Sequence, residues 1–303
     1  MTLPRRILPG ETSMVTRRCA QRLYLLVPSD SVNNLLLYCL IYAAKRTGML
    51  IHSVNVVSNH YHIVLTDPFG LLPVFMADLN RMVARALNAH HGRWESFWAP
   101  GSYDRKLCIS PEDVLDRMVY GMANPTTHGL VEKVDDWPGL STGPEDLDGR
   151  VLRATRPDFF FDPEGSMPEV LEMTLEPPPG FEDWDRAALI AELRQRITAR
   201  EAQAYEEHNG QFVGVERVLA MKPTDGPATR EPRRNPRLHI ACRCTWRRIE
   251  EIHRLQDWHR AYADARQRER AGEREVVFPA GTYWRMHFTG ARVQKPPDPP
   301  PPN

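Results

Sequence analysis

Two strand-forming runs, Leu50–Val57 and His60–Thr66, are separated only by the turn residues Ser58-Asn59. The first is β-branched and apolar, and the second (HYHIVLT) alternates with a two-residue period. Strands joined this tightly pair antiparallel, so the chain must build an antiparallel sheet here. Residues 12–18 (TSMVTRR) and 22–27 (RLYLLV) read as further strand segments, and 102–109 as a short one. Helical spacing of Val32, Leu35, Leu36, Cys39, Leu40 and Ala43 predicts a helix over 31–45, with Ser29 or Asp30 as cap and Gly48 as breaker. Phe75, Leu79, Met82, Val83, Ala86 and Leu87 form the apolar face of a second helix over 72–90. A third begins at Ser110, with Pro111 at its first position and Asp113 three residues after the cap. It runs to about Ala123, where Pro125 should stop it. This order predicts an α+β fold: an antiparallel sheet with helices packed on one side, closing near residue 140.

Four segments follow from composition. Residues 1–140 form the sheet-bearing domain. Residues 141–183 are an acidic, Pro/Gly-rich linker or covering segment, residues 184–293 a helical, basic accessory region, and residues 294–303 a disordered Pro-rich tail. Lys plus Arg and Asp plus Glu both number 39, which excludes a generally basic polyanion binder. The balance is uneven along the chain: residues 1–131 carry a net +4, 132–185 a net −11 and 230–295 a net +8. The basic blocks permit nucleic acid, and they equally permit acidic and basic segments that cover one another. With no apolar run of about 18 residues and no leader-like start, the expectation is a cytoplasmic protein without a membrane span. Five scattered Cys suit a reducing compartment.

Chemistry-bearing residues concentrate in two places. On a strand, His60 and His62 share a face, ~6.6 Å apart along the backbone, and two neutral imidazoles there can converge on one divalent cation; Tyr61 points the other way. Histidines on an edge strand are the plainer alternative. Tyr120 and Asn124 are four residues apart and lie one turn apart on the third helix. Asn124 offers a carbonyl oxygen to a hard cation, and Tyr120 a hydroxyl that can attack. A packing tyrosine and a helix-ending asparagine would leave the same pattern. His90-His91 fits a helix C-terminus. Cys242-Arg243-Cys244 has no second cysteine pair to complete a zinc site.

Taken in order, these stretches resemble the single-tyrosine HUH transposases of the insertion-sequence-200 type, and more closely the REP-associated tyrosine transposases. The resemblance covers about residues 4–140. It rests on Arg6…Leu8-Pro9-Gly10…Val15-Thr16-Arg17-Arg18, on Val57-Ser58-Asn59-His60-Tyr61-His62-Ile63-Val64-Leu65, on the 72–92 helix with Asn88 and His91-Gly92, and on Tyr120-Gly121-Met122-Ala123-Asn124-Pro125 followed by Gly129-Leu130-Val131. It implies an HUH-type ferredoxin-like sheet with helices packed on it, extended by a mixed, largely helical C-terminal region. It also implies a metal-dependent endonuclease and strand transferase acting on single-stranded hairpin (REP-like) DNA through a 5′-phosphotyrosine. In that reading His60, His62 and Asn124 hold Mg²⁺ or Mn²⁺, and Tyr120 is the nucleophile. A catalytically silent, domesticated hairpin-DNA binder of the same fold is the alternative. The protein would act as a monomer beside the bacterial nucleoid, with no obligatory protein partner. Thr126-Thr127-His128 departs from the family's basic-containing run, so a phosphate-contacting Arg is missing there.

Arg5, Arg6, Arg17, Arg18 and Arg22, with Arg93, Arg105 and Lys106 among Trp94, Phe97, Trp98 and Tyr103, are the expected DNA contacts. Arg233, Arg234, Arg243 and Arg247 are possible accessory contacts.

Overall fold

The computed structural model describes residues 4–228 and 239–296. Its first half runs β1 (Glu11–Arg18), α1 (Asp30–Thr47), β2 (Leu50–Val57), β3 (His60–Asp67), α2 (Leu72–His90), β4 (Asp104–Cys108), α3 (Pro111–Met122) and the single turn α4 (Asn124–Thr127). Its second half adds β5 (Leu152–Thr155), β6 (Val170–Met173), α5 (Arg186–Glu207), α6 (Val215–Leu219), β7 (Ile240–Ala241), α7 (Thr245–Arg270), β8 (Val277–Phe278), α8 (Tyr283–Thr289) and β9 (Arg292–Val293). The result is a mixed α+β fold around an open five-stranded sheet ordered β2-β3-β1-β4-β7. The first four strands are antiparallel, and β7 adds parallel to β4.

Caps set the helix boundaries where the sequence placed them. Ser29 Oγ accepts from the Val32 amide at the start of α1, and Gly48 ends that helix in the left-handed conformation. Ser110 and Asp113 form a reciprocal capping box on α3. The end of α3 is as expected: the helix stops at Met122 with Ala123 as its C-cap, and Pro125 then sits in the first turn of the separate α4, where a missing N–H costs nothing.

Two expectations need correction. Residues 22–27 form no strand: the chain takes a short 3-10 turn at Ala20–Arg22, with Gln21 and Arg22 at positive φ, and then runs irregularly into α1. Helices also cover both faces of the sheet, not one. Tyr61 donates to Asn80 of α2 on one face, while its neighbour His62 meets Tyr120 of α3 on the other. The reason is visible in β2 and β3, where seven of eight residues in each strand are buried. Strands buried on both sides need two covering layers.

The apolar core does not end near 140. Ala154, Phe161, Leu171, Leu175 and Phe181, then Leu189, Leu193 and Ile197 of α5, belong to the same buried cluster as Val15, Ile63 and Phe75. Residues 140–142 also hydrogen-bond along the outer edge of β2, through Val56 N to Leu140 O and Thr142 N to Val54 O, which closes an edge that would otherwise be open. On the opposite side, α7 is tied to the N-terminal segment. Arg6 bridges Glu11 (3.0 Å) and Glu251 of α7 (2.6 Å), and Arg105 also pairs with Glu11 (2.7 Å). No described helix is long and apolar enough to cross a membrane.

Candidate active site

The site lies where α3 and α4 cross the β3 face. His60 and His62 are both directed at it, and their Nε2 atoms are 3.0 Å apart. Their outer nitrogens are held separately: His60 Nδ1 lies 2.7 Å from Asn59 Oδ1, and His62 Nδ1 lies 2.8 Å from Thr16 Oγ1 across the β1–β3 pair. An amide oxygen only accepts, so His60 carries its proton on Nδ1 and presents a bare Nε2 lone pair. Thr16 can accept or donate, so His62 can take either tautomer. Burial drives both rings toward neutrality, pushing the His60 pKa down to about 3 and His62 well below the ordinary value. His128 and Arg18 push His60 the same way.

The helix supplies the rest. Tyr120 is 40% exposed, and its ring stands edge-on to His62 with centroids 5.4 Å apart. Arg117, one turn earlier, holds its guanidinium carbon 5.2 Å from the Tyr120 ring centroid. The crossing is close at Gly121, where a Cβ would lie in ordinary contact, 3.6 Å from His62 Cβ. Asn124 is 1% exposed and sits beside His60, and its Oδ1 has no hydrogen-bond partner. A buried amide oxygen without a partner is costly and needs an explanation.

These donors fit a divalent cation. Two imidazole ligands at about 2.1 Å and a right angle would hold their nitrogens about 3.0 Å apart, which is the spacing of the two Nε2 atoms, and the orphaned Asn124 oxygen supplies a third donor. Among the described residues no group of three or more His, Cys, Asp or Glu could hold a metal, so any metal centre here depends on the amide.

The expected cationic contacts divide by location. Arg18 pairs with His60 in register, and its charge and that of Arg22 are felt at His60. Lys106 lies on the same sheet face, next to Asp104 at 3.4 Å. Arg6 and Arg105 are instead enclosed in the ion cluster with Glu11 and Glu251. Arg5 and Arg17 belong to the opposite side of the sheet, against Tyr103 and Trp98. Arg93 follows α2 with a buried, unpartnered Nε. Arg243 caps the acidic side of α3 by pairing with Asp116, while Arg247 is exposed. Arg233 and Arg234 lie outside the described residues. Of the aromatics, Phe97 and Trp98 are buried and Trp94 is 89% exposed. His91, at the end of α2, donates from Nε2 to the Leu25 carbonyl at 3.1 Å, and all five cysteines are free.

Sequence reading gave no role to Thr16, Asn59 or Arg117. Arg117 was legible from its three-residue spacing to Tyr120, and Asn59 from its place beside the first histidine. Thr16 was not legible, because only the strand register brings it to His62.

No family model matches the chain, and no curated protein matches it. Among solved structures, the chain is similar to a REP-associated tyrosine transposase bound to a REP hairpin, at 21% identity and a TM-score of 0.42, over 56% of this chain and 97% of that one. It is also similar to a provisionally assigned transposase from Deinococcus radiodurans R1, at 21% identity and a TM-score of 0.28, over 35% of this chain and 84% of that one.

Proposed function

We propose that the protein is a metal-dependent single-stranded DNA endonuclease and strand transferase of the single-tyrosine HUH type, acting near hairpins. One observation carries the reading: two neutral imidazole nitrogens 3.0 Å apart, beside an orphaned Asn124 oxygen on α4, the turn that directly follows the helix presenting Tyr120. The β-α-β-β-α-β order of the first four strands, arranged β2-β3-β1-β4, supports a ferredoxin-like sheet of that type. His60, His62 and Asn124 would hold the cation, Mg²⁺ or Mn²⁺, which when bound supplies charge to a phosphate oxygen and orients the scissile bond.

The chain's own groups do the remainder. The Tyr120 oxygen, which is open to solvent, attacks the scissile phosphorus and gives its proton to solvent, while the P–O3′ bond breaks and the departing 3′-oxygen takes a proton from solvent to leave as a free 3′-OH. The new bond is a 5′-phosphotyrosine. A second DNA 3′-OH then attacks that phosphorus and returns the tyrosine, so the phosphoester count is conserved and no external energy source is used. Arg117 sets a fixed positive charge beside the attacking ring, where the phosphate must come. Asn59 and Thr16 hold the imidazoles in place.

The test is a denaturing gel of the full chain with end-labelled hairpin oligonucleotides and Mn²⁺ or Mg²⁺. A metal-dependent covalent adduct is expected, and Tyr120→Phe should abolish it. Hairpin binding without adduct under either metal would replace this reading with that of a silent DNA-binding protein. An adduct that survives in Tyr120→Phe would remove Tyr120 as the nucleophile.

A further inference from the structure

The C-terminal region builds a second feature that the nuclease chemistry does not use. A cleft of about 720 Å³ opens between α2, the N-terminal segment and α8, on the sheet face opposite the histidines. Its lining includes Arg5, Arg17, Tyr103, Tyr283, Trp284 and Phe288. Trp284 and Phe288 stack on one another one turn apart, with centroids 5.8 Å apart and planes 24° apart. Both stay open to solvent, at 60% and 67% exposure. Two large rings left exposed at the mouth of a cleft are a surface without its partner.

The charges indicate the partner's chemistry. Among the described residues, neither Arg5 nor Arg17 has a carboxylate partner. Arg5 lies 4.3 Å over the Tyr103 ring and donates to the Tyr103 carbonyl, and Arg17 donates to the Gly101 carbonyl. Burial of Arg17 without an opposing carboxylate lowers its pKa from the ordinary value. The acid on the lining, Asp78, is already paired with Arg46 and Arg81 at 2.8 Å each. The cleft thus combines two uncompensated cations with flat apolar walls. An anion that also carries flat rings satisfies both, which describes single-stranded nucleic acid. Its position suits a strand leaving the histidine site. Arg17 and Arg18 are consecutive on β1 and leave it on opposite faces, opposite Tyr61 and His60 respectively. A strand passing Arg18 reaches Arg17 by rounding the end of the sheet.

We propose that this cleft binds the unpaired flank of the hairpin substrate, with bases stacked on Trp284 and Phe288 and phosphates held by Arg5 and Arg17; this rests on the nuclease reading above. The experiment compares binding of the full chain to one hairpin carrying either an oligothymidine flank or an abasic flank of equal length, placed on the 5′ or the 3′ side. The same oligonucleotides are assayed for the covalent adduct. The abasic flank keeps the phosphates and removes the rings. In the wild-type protein the thymidine flank on one side should bind about tenfold more tightly than its abasic counterpart. In Trp284→Ala/Phe288→Ala that ratio should fall to about one. Both rings are exposed, so the variant should fold, and an unchanged melting curve checks this. A ratio of one in the wild-type protein, or an undiminished ratio in the variant, overturns the cleft's role even while adduct forms. Loss of both hairpin binding and adduct in the wild-type protein overturns the nuclease reading itself, and the cleft proposal with it.

Discussion

The tautomer of His60 is decided by a single neighbour. Asn59 Oδ1, 2.7 Å from Nδ1, requires a proton on that nitrogen and leaves Nε2 free. The Asn59 amide nitrogen is held in turn by the Arg22 carbonyl at 3.2 Å, so the side chain cannot turn over without losing that bond. His62 differs, because its partner is a hydroxyl that works in either direction. Without a cation, one Nε2 must carry a proton for the 3.0 Å contact to be attractive. The fixed state of His60 assigns that proton to His62, and Thr16 then donates to His62 Nδ1. When a cation takes both Nε2 atoms, His62 must move its proton to Nδ1 and Thr16 must accept it. Removing an orienting partner of this kind typically costs 10–100-fold in metal affinity. Asn59→Ala and Thr16→Val are therefore each expected to weaken Mn²⁺ binding by about tenfold or more, measured by calorimetry on DNA-free protein. Unchanged affinity in both variants would show that the histidines need no such orientation.

At the scale of elements, the crossing of α3 over β3 leaves room at Gly121 for a methyl group and little more. Gly121 is helical, and a Cβ there would make ordinary contact with His62 Cβ at 3.6 Å. Gly121→Ala should then raise stability by up to about 1 kcal/mol in urea unfolding, from helix propensity alone. Gly121→Leu has to push α3 off the strand and should cut adduct yield more than tenfold. Equal adduct yield from Gly121→Leu and wild type would mean that the crossing distance is unimportant. This element was legible in advance because its signals are local: Ser110, Pro111 and Asp113 at the start, and Tyr120 with Asn124 one turn apart. The misread elements depended on non-local facts. RLYLLV has a strand's composition, but Gln21 and Arg22 at positive φ turn the chain away from the sheet. The second helical layer was missed because burial of both strand faces is a property of the assembled sheet. Sequence likewise shows the charges of Arg6 and Arg105 without the carboxylates that pair with them. Glu251 reaches Arg6 from the far end of the chain and Glu11 reaches Arg105 only through the pairing of β1 with β4, whereas Glu11 is a sequence neighbour of Arg6.

Across the whole molecule, the acidic middle segment is bound to the sheet by a buried histidine that the sequence did not single out. His52 on β2 donates from Nδ1 to the Glu176 carbonyl at 2.9 Å, and its Nε2 accepts from the Thr66 hydroxyl at 2.8 Å. Thr66 in turn lies 2.7 Å from Thr12 Oγ1, so the chain of bonds runs from the covering segment through β2 and β3 to β1. Every hydrogen bond in it is satisfied with the imidazole neutral. Burial accordingly depresses the His52 pKa to about 4. In the unfolded chain the same group titrates near its ordinary value, about 6.5. Above that pH neither state binds a proton, and the stabilisation is complete. As pH falls from about 6.5 toward 4, the unfolded state takes up a proton that the folded state refuses, and stability falls by up to about 3 kcal/mol. His60 and His62 are depressed in the same direction, so the wild-type curve alone does not isolate His52. The comparison with His52→Phe does, since a ring of similar size keeps the packing and removes the titration. Urea unfolding between pH 7.5 and 4 should show a steeper loss in the wild-type protein than in the variant, even where the variant is less stable at neutral pH. Parallel curves would mean that the contact between the covering segment and the sheet does not depend on a neutral imidazole.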